Sequence, residues 1–72
     1  MNKARRETLK GILEQLEELK SSLEDVQSEE EEACENMIGE ERREKSEDAI
    51  SNIESAVSSI EDAISSIEEA TE

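Results

Sequence analysis

Over residues 49–70, AISNIESAVSSIEDAISSIEEA, isoleucine or valine falls at 50, 53, 57, 60, 64 and 67, in alternating steps of three and four. Side chains at that spacing stack on one side of an α-helix, and the sustained seven-residue repeat is that of a helix packing along its length on other helices. Alanine marks one flank of the same stripe once per repeat, at 49, 56, 63 and 70. With the first isoleucine of each unit taken as position a and the second as d, the wheel runs Ser/Asn, Ala, Ile, Ile/Val through c, g, d and a. The apolar-to-small sector therefore covers nearly half the circumference. A seam touching a single partner needs a narrower stripe, so the pattern predicts a helix that meets more than one other helix.

The first half of the chain repeats the signal. Leu9, Ile12, Leu16, Leu19, Leu23 and Val26 step by 3,4,3,4,3, with Leu13 widening the stripe. Strong helix formers fill the remaining face and Asn2 stands where a cap is needed, which predicts a helix over about 3–37. Gly11 falls on its polar side as a surface glycine. Beyond Val26 the register holds Glu30, Ala33 and Met37, and four glutamates occupy 29–32, so packing is expected to thin there. Gly39 is the natural break, able to take a left-handed conformation that ends the first helix. The turn is placed at about 38–41 and the second helix at about 42–70.

Charge order selects an antiparallel hairpin over one continuous rod. Lys3, Arg5 and Arg6 sit at the start of the first helix and Glu68, Glu69 and Glu72 at the end of the second, each on the unfavourable end of its own helix dipole. Folding back brings the two groups together, and sets 29–32 near Arg42, Arg43 and Lys45. Each exposed pair is worth only ~0–1 kcal/mol, enough to choose an orientation but not to hold a fold. Two helices cover only one side of each other, so the predicted fold is an all-α antiparallel hairpin that self-associates into a four-helix or larger bundle. Its seam is Leu9, Ile12, Leu16, Leu19, Leu23 and Val26 with Ile50, Ile53, Val57, Ile60, Ile64 and Ile67.

Composition narrows the function. In 72 residues, 42% charged and without proline or aromatic side chains, there is room for one small helical domain and none for an enzyme core. Histidine is absent and the serines of the second helix repeat as small, solvated filler, so no nucleophile and base can be paired. A net charge of −14 opposes direct binding to nucleic acid or to an anionic membrane. One cysteine, Cys34, excludes an internal disulfide framework and is read as a small packing residue beside the stripe. The run 29–32 lacks the loop glycine and alternating oxygens of a calcium loop, and no cofactor is implied. No apolar run is long enough for a signal core or a membrane span, which gives the expectation of a soluble, unprocessed cytoplasmic protein.

What remains is contact. The acidic face Glu17, Glu18, Glu24 and Asp25 is the candidate surface for a protein partner with a basic patch. Arg42, Arg43 and Lys45 form the candidate site for a small anionic ligand, with Lys3, Arg5 and Arg6 as a second cluster. A nucleic-acid mimic that occupies a basic DNA- or RNA-binding groove is the third reading.

The opening MNKARRETLKGILEQLEELKSSLEDV and the later EDAISNIESAVSSIEDAISSIEEA resemble a group of small acidic helical proteins carried by Firmicutes and their phages or prophages. Members of that group carry a proline-containing connector between helices, whereas NMIGEERREK here has no proline. The resemblance implies a phage or mobile-element setting within a bacterial host. In that setting tiny acidic non-enzymatic proteins act as inhibitors of host machinery or defence systems.

Overall fold

The computed structural model describes residues 1–36 and 38–72. Two helices, α1 (Lys3–Glu35) and α2 (Glu40–Ala70), fold back on each other as a hairpin. The antiparallel order is fixed by side chains that bridge the pair: Ser46 reaches Glu30, Gln27 reaches Glu54, and Lys20 reaches Glu61.

Asn2 starts α1 as expected. Its Oδ1 accepts the Arg5 amide at 2.9 Å, satisfying one of the donors that a helix start leaves open. The helix stops at Glu35, short of the expected 37; the Asn36 amide donates to the Ala33 carbonyl at 3.2 Å and its side-chain amide to the Glu32 carbonyl at 3.0 Å. Met37, named above as a stripe position and as the helix end, lies outside the described residues. α2 begins at Glu40, so two of the four residues assigned to the turn belong to the helix.

Gly39 plays a different part from the one predicted. It does not close α1 in a left-handed cap; with φ 106° and ψ 128° it stands at the N-cap of α2, and its carbonyl accepts the Arg43 amide at 3.2 Å. That φ is open to glycine and strained for other residues. Glu40 and Glu41 follow in the first turn, where carboxylates favour the helix dipole. Gly11 is exposed, and a Cβ placed on it would meet nothing within 4 Å beyond its own turn of helix.

Packing between the helices is carried by two rows of equal length. On α1 the residues withdrawn from solvent are Leu9, Leu13, Leu16, Lys20, Leu23, Gln27, Glu30 and Cys34, in steps of 4,3,4,3,4,3,4. On the second helix the matching row is Ser46, Ile50, Ile53, Val57, Ile60, Ile64 and Ile67, ending at Thr71, with Ala49 and Ala63 half-buried beside it. The α2 half of the expected seam thus lies between the helices. The α1 half divides: Leu9, Leu16 and Leu23 face α2, while Ile12, Leu19 and Val26 remain 39%, 56% and 49% exposed.

The physical reason is phase. Apolar side chains occupy both d and the start of e in α1, and the contact follows a and e, so Leu13, Lys20 and Gln27 turn inward in place of Ile12, Leu19 and Val26. Lys20 and Gln27 can stand there because their long stems cover apolar surface while their heads reach the edge. Lys20 Nζ lies 3.5 Å from Glu61 Oε1, and Gln27 Nε2 donates to Glu54 Oε1 at 3.3 Å.

The turn end is closed, contrary to the thin packing expected of it. Cys34 and Ser46 are two of only four buried residues among those described, with Val57 and Ile64 the others. Small side chains do this work. Among the described residues no side chain is fully enclosed, as expected when two helices cover one side of each other.

Candidate interaction surface

The sides of the hairpin follow from helix geometry. Residues seven apart lie on one line along a helix, and the lines flanking each contact row differ in chemistry. On α1, Glu17 and Glu24 flank one side of the row, and Ile12, Leu19 and Val26 the other. On α2, Glu54 and Glu61 flank one side, and the four alanines the other. The Lys20–Glu61 and Gln27–Glu54 contacts place both glutamate lines on the same side of the hairpin.

An acidic groove results. Glu17 and Glu24 line it from α1 and Glu61 and Ser65 from α2, with Lys20 and Ile64 at its floor and wall. The four carboxylates predicted as one face are therefore divided: Glu17 and Glu24 open onto the groove, whereas Glu18 and Asp25 point away from α2. Glu18 shares an adjoining depression with Glu14, Glu17 and Ser21. Sequence reasoning missed Glu54 and Glu61, although their seven-residue spacing matches that of Glu17 and Glu24. Joining the two pairs required the antiparallel register.

The basic candidates are not gathered into a site. Arg42 and Lys45 line a surface groove together with Glu30 and Ser46, while Arg43 opens onto a different one with Glu40, Glu44 and Glu47. An anion entering either groove would meet a carboxylate. Nor do the two ends form the expected ion pairs. Among the described residues Lys20–Glu61 is the one salt bridge, so neither Lys3, Arg5 and Arg6 nor Arg42, Arg43 and Lys45 pairs with acid. Long exposed side chains gain too little from such contacts to be held in them.

The chain matches no family model, no curated relative and no solved structure. Its own chemistry must carry the functional reading. Among the described residues no three of the carboxylates and Cys34 are arranged to hold a metal ion, and no helix is long and apolar enough to cross a membrane. Cys34 is buried at 8% exposure, so its thiol is a packing group at the turn end. The accessible chemistry is carboxylate, hydroxyl and amide, with a minority of scattered ammonium and guanidinium groups.

Proposed function

We propose that this chain is a non-enzymatic acidic interaction protein that binds a protein with a basic surface, one copy per site, and blocks or sequesters it. One observation carries the reading: of 22 acidic side chains only Glu61 sits in an ion pair among the described residues, so a net charge of −14 faces solvent. Such a field draws in basic surfaces and speeds their association. The groove between Glu17, Glu24 and Glu61 offers the contact. A guanidinium or ammonium group entering it meets carboxylates from both helices.

The resemblance of both halves to small acidic helical proteins of Firmicutes and their phages supports a mobile-element origin. In that setting the target is a protein of the bacterial host cytoplasm, in particular a component of host defence. Action by contact fits a surface without histidine and with shallow polar grooves.

The test is capture from host lysate, followed by titration of the captured protein. Binding should saturate at a fixed ratio and persist in weakened form as salt is added. Reversing Glu17, Glu18, Glu24 and Asp25 to lysine should weaken it at least tenfold, while Arg42→Ala with Arg43→Ala leaves it unchanged. Recovery of a nucleotide with no protein partner at low salt would overturn the reading.

A further inference from the structure

The side of the hairpin opposite the acidic groove has a different character. Ile12, Leu19 and Val26 run along α1 there, exposed, while Lys20 and Gln27 fill places in the interhelical row. Ala49, Ala56, Ala63 and Ala70 run beside them on α2. The next line outward is also uncharged: Gln15 and Ser22 on the first helix, Asn52, Ser59 and Ser66 on the second. In a chain that is 42% charged, this face carries no charge along most of its length.

We propose that two copies of this chain pair through this face, about a two-fold axis parallel to the helices, to form a four-helix bundle. The inference does not depend on any target. Charge selects the occupant: two molecules of net charge −14 can meet without opposing carboxylates only here, whereas a basic partner is matched by the acidic groove on the other side.

Size agrees. The hairpin measures 56 × 15 × 11 Å, so its broad face offers on the order of 800 Å² per copy, the amount a stable interface uses. The chain exposes 5585 Å², against about 4,500 Å² expected of a compact protein of its 8.1 kDa mass. A second copy covers surface of that order.

Shape fixes the orientation. The Lys20–Glu61 and Gln27–Glu54 contacts set the register, in which Leu19 stands within one residue of the level of Ala63, Val26 of Ala56, and Ile12 of Ala70. A two-fold axis along the bundle lays α1 of one copy over α2 of the other at the same levels. Each large side chain then seats over a small one, Leu19 above Ala63, Val26 above Ala56 and Ile12 above Ala70. The alternative, α1 over α1, stacks large on large and leaves alanine facing alanine across a gap. The outward faces of the pair are acidic, so assembly stops at two.

Sedimentation equilibrium at micromolar concentration should give a mass of two chains; one chain, or more than two, overturns the proposal. Leu19→Glu should reduce the mass to one chain, and Glu24→Gln, in the acidic groove on the opposite side, should leave it at two. If Leu19→Glu also loses helicity, cross-linking decides. In a Cys34→Ser background, a Leu19→Cys chain is mixed with an Ala63→Cys chain and oxidised. The expected product joins one chain of each kind. Predominant Leu19→Cys homodimers, or no cross-link, would show that the copies do not meet as described.

Discussion

The most buried side chain among the described residues is a serine. Ser46 retains 3% exposure and donates its hydroxyl to Glu30 Oε1 at 2.7 Å. It lies toward the turn end, as Cys34 does, where the chain leaves one helix and enters the other within a few residues. A small side chain fits a position so closely covered, and the carboxylate satisfies the hydroxyl that burial removes from water. Ser46→Ala removes the hydrogen bond but leaves Glu30 near water, so the expected loss is about 1 kcal/mol in urea-induced unfolding. Ser46→Leu should cost more, about 1–3 kcal/mol, by forcing the helices apart. A leucine variant as stable as the native protein would mean that close cover is not what selects serine. From spacing alone Ser46, four residues before Ile50, is a weak position on the stripe, because a polar residue on an apolar series signals poor packing until its partner is known.

At the scale of the helices, periodicity settled more than phase. Ile50, Ile53, Val57, Ile60, Ile64 and Ile67 lie along a single line of the wheel, and the second helix turns that line inward. α1 offered two overlapping lines, Leu9-Ile12-Leu16-Leu19 and Leu9-Leu13-Leu16, and spacing alone does not choose between them. The choice depends on what α2 presents, including Glu54 and Glu61 as partners for Gln27 and Lys20. The hairpin and the Asn2 cap were legible because two amphipathic runs, the break at Gly39 and the cap residue are local signals. The antiparallel order came out as expected, but the end-to-end ion pairs from which it was argued do not form among the described residues, and the acidic groove was not foreseen, since each turns on register and on side chains worth a fraction of a kcal/mol. Stability should follow the observed rows. Ile64, 9% exposed, should lose about 2–4 kcal/mol on truncation to alanine, whereas Ile38, 92% exposed in the turn, should change by less than about 0.5 kcal/mol on substitution by serine. Thermal melts of the two variants check this; equal losses would mean that the helices meet along another line.

The whole molecule is long and thin, with a radius of gyration of 16.6 Å against about 11 Å for a compact domain of this length. In an object only 11–15 Å across, carboxylates on every side lie within reach of one another's fields. At about 10 mM salt the screening length is about 30 Å, so repulsion acts through the full thickness of the hairpin; at about 150 mM it falls to about 8 Å and the opposite sides decouple. Opposing this, Lys20–Glu61, the one ion pair among the described residues, joins side chains that are 33% and 53% exposed, and salt weakens it too. Its contribution is ~0–1 kcal/mol at most, while the net charge is −14. The repulsive term is the larger, and it is greater in the folded state than in an expanded chain that spreads the same charges apart. Raising salt from about 10 to about 150 mM at fixed protein concentration should therefore stabilise the hairpin by roughly 1 kcal/mol, a rise in melting temperature of about 4–8 °C for a chain of this size. Circular dichroism melts measure it directly, and a melting temperature that falls with salt would mean that local attractions, among them Lys20–Glu61, outweigh the net charge.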